Sequence, residues 1–399
     1  MGYLERAQLM GHDVSRLKAG ETIQSMVLVD TLDKFKAIFA AELTAEQRAE
    51  YSKKILALPS GVQFGGFREA PMMRLISYVF GDGELTAADA AFAKTLFPLK
   101  INAISGATIT ITTAVVYGPT AIPVTVNAGT LIFAGGSITA ENTVLTVRAD
   151  NLQINASPAA TAKPYHVGIL GVTPATAATG LTGTSTPGQA PAGTSAQPRS
   201  PGNCLGAPGG GNGSTGAPGG KGGPGEPGQP GLASYTATIT IETYDSAPAS
   251  FVVFTQSGGG GRGGQGGTGG QGQQGGTGGN GCDSGCEGTH SGDGGPGGPG
   301  GAGNMGGSGG GGIDGFPITI NFPKVAQSHL VMTDATAPPG AGGAQGEGGA
   351  PGAGGNPGKA GKDSGTGAVG AIGAPGVRGE RGLDSKTSGT PGHYTTHFL

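Results

Sequence analysis

The chain has 399 residues, of which 86 are glycine and 28 proline, with 5% aromatics, no tryptophan and a net charge of −3. Glycine and proline together reach the level at which collagen-like and low-complexity architectures compete with globular ones. The near-neutral charge removes the electrostatic case for nucleic acid or an anionic membrane, and without a run of about 20 apolar residues no transmembrane segment is expected.

MGYLERAQLMGHDVSRLKAGE lacks the basic, apolar, then small-residue order of a secretory signal, and MGYLER fails the myristoylation pattern at its sixth position. Residues 1–98 read as a small helical domain. Thr44 with Gln47 forms a capping box before an apolar-periodic run that ends at Pro59. Thr86 with Asp89 opens a second helix, which Pro98 ends. TIQSMVLVDTLDKFKAIFAAEL reads as a longer helix, with Leu28, Leu32, Phe35 and Phe39 on one stripe.

At Leu99 the apolar period changes to two. ATITITT, IPVTVNA, NTVLTVRA and NLQINAS alternate apolar with small polar residues, so residues 99–175 read as the first part of a β body. Even spacing and small turns favour a β-solenoid over a sandwich. Further strands fall in 234–257 and 316–336, with glycine-rich segments at 176–233, 258–315 and 337–386 and a C-terminal tail at 387–399.

Inside those segments the glycines keep phase. They occupy every third place from Gly210 to Gly231, Gly260 to Gly281, Gly294 to Gly315, Gly340 to Gly361 and Gly367 to Gly382. The phase breaks at Cys282-Asp283-Ser284 and at Lys362-Asp363-Ser364, then resumes. A period of three matches the polyproline II helix, which rises about 3.1 Å per residue, so a run of 22 residues makes an arm of roughly 65 Å. Its glycine face lets another backbone approach closely, and its backbone groups need partners on neighbours. Breaks between in-phase runs are expected to reverse the chain, giving about six antiparallel arms. The two bare faces of 260–281 suit a central arm, and the single bare face of 340–382 suits the periphery. A flexible linker is the ordinary reading of such sequence, and GAPGVRGERGLDS also has a collagen-like look.

Triplet tracts joined by short turns and small disulfides resemble the polyglycine II bundles of springtail antifreeze proteins. They are also similar to the glycine-rich tip adhesins of T-even-like phage tail fibres. The resemblance spans residues 176–386 and rests on periodicity; neither family leads one to expect the helical N-terminus or the β body. The expected fold is therefore multidomain α+β: a helical domain, a β-solenoid or sandwich body, and polyglycine II arms inserted between strands.

Cys282 and Cys286 frame the phase break of the central pair, so a Cys282–Cys286 disulfide is expected to staple that tip. It implies an oxidising setting, extracellular or on a virion or cell surface. Free thiols are one alternative; a metal site with His290 is a weak one, because the spacing is not that of zinc. Spacing leaves the state of Cys204 undecided. His393 and His397 read as part of a frayed tail, and GDGEL at 81–85 as a break between helices. Matches to G-x-G-x-x-G follow from the triplet period, G-x-S-x-G at 306–310 has no supporting context, and GNPGKAGKDS lacks the Ser or Thr of a P-loop.

No catalytic constellation can be nominated, so the expectation is a non-enzymatic protein without cofactor or metal. Varied side chains collect at the turns, which makes Arg199, Asn203, Asp283, Glu287, His290, Lys362 and Asp363 the contact candidates. The leading expectation is a surface-recognition protein for a cell-surface receptor or glycan. A self-assembling fibre or coat subunit is the alternative, and a homo-oligomer is expected in either case. Ice binding wants a flat face of repeated small residues, which the mixed outward positions do not offer.

Overall fold

The computed structural model describes residues 1–41, 43–56, 70–120, 122–156, 165–200, 203–245, 249–284 and 287–399. These residues form a mixed α/β structure with two sheets. The N-terminal part contains α1 (Tyr3–Leu9), α2 (Val14–Lys18), β1 (Thr22–Val29), α3 (Leu32–Ala40), α4 (Ala45–Leu56), α5 (Ala70–Phe80) and α6 (Ala87–Leu96). The Gln47 N–H donates to Thr44 Oγ1 at 3.3 Å, and the Thr44 N–H donates to Gln47 Oε1 at 3.0 Å. Thr86 and Asp89 make the same reciprocal pair at the start of α6. GDGEL lies between α5 and α6, whereas Pro59 lies outside the described residues.

One helix prediction is corrected. TIQSMVLV is the strand β1, antiparallel to β2, and the helix begins only at Leu32, after Thr31 accepts the Lys34 N–H at 3.2 Å. Ile23, Val27 and Val29 are β-branched and turn inward at a period of two, which outweighs the four-residue spacing of the proposed stripe. Leu28 is 48% exposed, off any stripe.

The β body contains β2 (Leu99–Ile111), β3 (Ala114–Tyr117), β4 (Val124–Ala134), β5 (Ser137–Glu141), β6 (Leu145–Ala156) and β7 (Val167–Leu170). It continues through β8 (Ala237–Tyr244), β9 (Phe251–Gln256), β10 (Ile318–Phe322), β11 (Leu330–Ala335) and β12 (Tyr394–Phe398). The seven-stranded sheet runs β1-β2-β4-β6-β8-β10-β12 and the five-stranded sheet β11-β9-β7-β5-β3. From β2 onward the chain alternates between the sheets, and every pairing after β1–β2 is parallel.

Leu131, Phe133, Leu145, Phe251 and Phe322 fill one core in the β body. The polar alternates on the seven-stranded sheet face the helices: Gln47 Nε2 donates to Asn321 Oδ1 at 2.7 Å, and Arg6 Nε to Asn127 Oδ1 at 2.8 Å. A second core joins Phe39, Val79 and Phe80 of the helices to Ile101, Tyr235 and Phe316. The helices thus cover one face of that sheet. The C-terminal residues are not a frayed tail either, because Tyr394–Phe398 pairs in parallel with β10. The Tyr394 hydroxyl donates to the Thr333 carbonyl at 2.8 Å and the Lys54 ammonium to the Tyr394 carbonyl at 3.0 Å. His393 immediately precedes β12, its carbonyl accepting the Ile318 N–H at 2.9 Å, and His397 lies within the strand, so along this extended backbone the two stand about 13 Å apart, too far to share an ion.

His166 gives the core a pH dependence. It is 1% exposed, its ring meets Phe133 edge-on at 5.2 Å, and Nδ1 accepts the Val252 N–H at 3.0 Å. Burial lowers its pKa from 6.5 to about 4. The unfolded chain therefore takes up this proton as pH falls through about 6.5, while the folded chain refuses it until about 4. Stability is full above the upper value and falls across that window by on the order of 3 kcal/mol. Urea melts between these limits should show this slope in the wild type and a flatter one in His166→Gln. Identical slopes would remove His166 as the cause.

Six glycine-rich tracts leave the sheets in pairs: residues 173–198 and 207–231 between β7 and β8, 258–281 and 288–315 between β9 and β10, and 337–361 and 365–390 between β11 and β12. They are numbered one to six in chain order. Tract three bonds to four others: Gly263 N–H donates to Ala341 O at 2.9 Å, Gly264 N–H to Glu226 O at 2.8 Å, Ala177 N–H to Arg262 O at 2.8 Å and Gly307 N–H to Gly264 O at 2.8 Å. Tract four likewise bonds to tracts two, three, five and six. Tracts one, three and five run parallel in one row and tracts two, four and six in another, while sequence neighbours run antiparallel.

The rows keep the register of the sheets from which they grow. His166 contacts Val252, Thr173 contacts Gly259 and Ser185 contacts Gln271, each 86 residues apart. Ser195 contacts Asn280 at a separation of 85, so tract one carries one extra residue in between. Gly188, at φ 80°, lies in that interval. Opposite it, Gln273 interrupts the second glycine column of tract three, and its Oε1 accepts the Ala217 N–H at 3.0 Å.

Candidate functional site: the turns at the end of the tracts

The described residues between the two tracts of each pair lie together at one end, and they are called the three turns. The first is closed by Arg199 N–H to Asn203 O at 3.2 Å and Asn203 N–H to Ser200 O at 2.9 Å. Gly206, at φ 66°, then leads into tract two. In the second turn, Cys282 N–H donates to Thr289 Oγ1 at 2.9 Å, Thr289 N–H to Cys282 O at 3.0 Å and Ser284 Oγ to Glu287 O at 2.8 Å. The third is tight: Ser364 N–H donates to Gly361 O at 3.2 Å, and Asp363 takes φ 56°, a left-handed conformation that Asp tolerates better than most residues.

Contacts between turns bring the predicted residues together. A disulfide joins Cys204 of the first turn to Cys282 of the second, with Cα atoms 5.8 Å apart. His290 Nδ1 accepts the Gly365 N–H at 2.9 Å, and the His290 carbonyl accepts Gly210 N–H at 2.9 Å. A Cβ on Gly288 would stand 2.4 Å from Gly361 C and 2.4 Å from Lys362 N, so the second and third turns touch through backbone. Arg199, Asn203, Asp283, Glu287, His290, Lys362 and Asp363 are all exposed on this surface.

The expected Cys282–Cys286 staple is corrected by the Cys204–Cys282 bond, which joins two turns rather than closing one. Cys286 lies outside the described residues. The metal alternative loses its first ligand at the same time, since the Cys282 sulfur is already bonded. The register held the clue. Ala196 pairs with Asn280, so a chain turning just beyond Ala196 arrives beside Cys282.

The described residues include no group of three or more His, Cys, Asp or Glu side chains that could hold a metal ion, and no helix long and apolar enough to cross a membrane. An apolar cavity of about 200 Å³ lies among Phe35, Leu75, Ile76, Val79, Leu99 and Tyr235, and none of the described residues in its wall is charged. No protein-family model, curated protein or solved structure matches the chain.

Proposed function

We propose that the chain is a non-enzymatic extracellular structural and adhesive protein. In this reading a β-solenoid body roots a bundle of six polyglycine II arms, and the three turns at the free end form the recognition surface. The observation that carries it is the convergence of seven exposed, mostly charged or amide side chains on a scaffold of glycine, proline and alanine. Polyproline II-type helices have no internal hydrogen bonds, so the backbone bonds between tracts are what would hold such arms straight. Rigid display lowers the ordering cost of binding and suits loops that carry contacts.

The turns offer three carboxylates, two cations and one imidazole, with no Phe, Tyr or Trp ring. That chemistry fits a charged or hydrogen-bonding receptor or glycan group better than a stacked sugar face. An inter-turn disulfide fits an oxidising exterior.

The test replaces Asp283, Glu287 and His290 together with Ser. Attachment of the purified protein to a panel of cell surfaces should fall at least tenfold, with amide protection of residues 292–310 unchanged. Full attachment by the variant would sink the turns as the contact surface. One observation favours the fibre subunit as a second reading: both sheets end on open edges, β11 and β12, where Met332 is 38% and Phe398 43% exposed. Electron microscopy of the wild type separates the two, as filaments or as discrete particles.

A further inference from the structure

We propose that the outward face of the row formed by tracts two, four and six is a docking surface for a second copy of this chain. The proposal rests on the bundle reading above and adds a face and an occupant to it. Side-chain bonds fix how that row is aligned: Asp293 N–H donates to Asn212 Oδ1 at 2.9 Å and Ala368 N–H to Asp293 Oδ1 at 2.7 Å. Stepping along by triplets places Pro218 beside Pro299 and Ala374, then Ala302 between Lys221 and Val377, then Met305 between Pro224 and Glu380. Pro218, Pro224 and Pro299 are exposed, Met305 is 49%, Val377 74% and Leu383 77% exposed. Proline, alanine and larger apolar side chains hold most positions of the three columns, with exposed Lys221 and Glu380 near the middle and Asn212 and Asp293 at one end.

The opposite row differs. Thr268 Oγ1 meets Thr182 Oγ1 at 3.4 Å, and Lys359 N–H donates to Asn280 Oδ1 at 2.9 Å, so its columns are aligned as well. Its central column is Arg262, Gln265, Thr268, Gln271, Gln274, Thr277 and Asn280, polar at every step. The tract assembly is thus predominantly apolar on the side of tracts two, four and six and more polar on the other, and the more apolar side is the one that calls for a cover.

Three features identify the cover as a second copy. The side chains form ridges at a three-residue step of about 9 Å with glycine-lined gaps between them, a period that an identical face matches and an arbitrary partner does not. The face is about 65 Å long and three columns wide at about 5 Å each, roughly 1,000 Å², above the about 800 Å² per partner of a stable complex. The helices stand on this same side, packed on the seven-stranded sheet up to the tract roots at Ala233 and Ile313. They project about 10 Å, so a flat membrane resting on them would stand off the tracts. Two copies lying antiparallel avoid the step, each helical layer falling beyond the other's turns, whereas parallel copies would collide. The pair is closed, not a filament.

Sedimentation velocity of the full chain from 1 to 100 µM tests this. The wild type should dimerise, the double variant Met305→Glu/Val377→Glu should weaken the dimer at least tenfold, and Gln265→Glu/Gln271→Glu on the polar side should leave it unchanged. Amide exchange of residues 292–310 separates the outcomes. A wild type that stays monomeric with protected tracts overturns the docking surface and spares the bundle; tracts that exchange like an unfolded peptide overturn both. Equal weakening by the two variant pairs overturns the assignment of the face. Flotation of monomeric wild type with phosphatidylcholine–phosphatidylserine vesicles, lost in Met305→Glu/Val377→Glu, overturns it in favour of a lipid surface.

Discussion

Replacing Gly269 by valine should cost about 3 kcal/mol or more and melt the tracts around it. A Cβ at this position would stand 1.9 Å from Gly301 O, 2.4 Å from Gly301 C and 2.8 Å from Gly349 N. All three atoms are backbone, so no side chain can rotate aside. Relief requires moving tract four or five, each of which is bonded to several neighbours. Thr268→Val is the control. Thr268 lies one residue away, on the outward column, and its replacement removes only a marginal 3.4 Å hydroxyl contact. Thermal denaturation of both variants, with amide exchange over residues 260–281, reads the difference. Equal melting temperatures would mean that the phase of the glycines has no structural consequence.

That prediction rests on a feature the sequence displays directly, the three-residue period of its glycines. Wherever a tract has neighbours on two sides, a side chain on the inner positions meets backbone, and glycine has to recur. Tracts three and four, each bonded to four others, carry two glycine columns. Exceptions are filled by side chains that take over a backbone bond. Asn304 breaks the second column of tract four, and its Nδ2 donates to Gly222 O at 2.8 Å. Gln273 does the same in tract three.

Tract one was harder to read, for a physical reason. It lies at the edge of its row, bonded among the described residues to tracts two and three alone, so alanine is tolerated at the bonded positions Ala177, Ala190 and Ala196. Its one-residue excess at the interval containing Gly188 then destroys any fixed count of glycines. The capping boxes at Thr44 and Thr86 were visible because they are local. β1 and β12 were not, because short strands are decided by partners far along the chain: β1 pairs with β2, and β12 with β10. The cysteine pairing was hidden likewise. Spacing within one turn pointed to Cys286, whereas the bond depends on the register between two tracts.

Breaking that bond is the second large effect expected. Cys204 and Cys282 are 78 residues apart in sequence, 3% and 5% exposed, and they tie the edge tract to the central one. The entropic account, acting through the unfolded chain, gives about 4.5 kcal/mol for a loop of that length, and measured bonds typically deliver about 2–4 kcal/mol. Cys204→Ala should therefore lower stability by about that amount in urea melts under oxidising conditions. Loss should begin where the fewest neighbours hold the chain, so amides of residues 190–200 should exchange faster before those of 292–310 respond. The decisive comparison is Cys286→Ala. A bond between Cys204 and Cys282 leaves that variant at wild-type stability, whereas a staple within the second turn would make it the damaging one. If Cys286→Ala destabilises the protein as much as Cys282→Ala while Cys204→Ala does not, the bond closes a single turn and the two turns are not covalently joined.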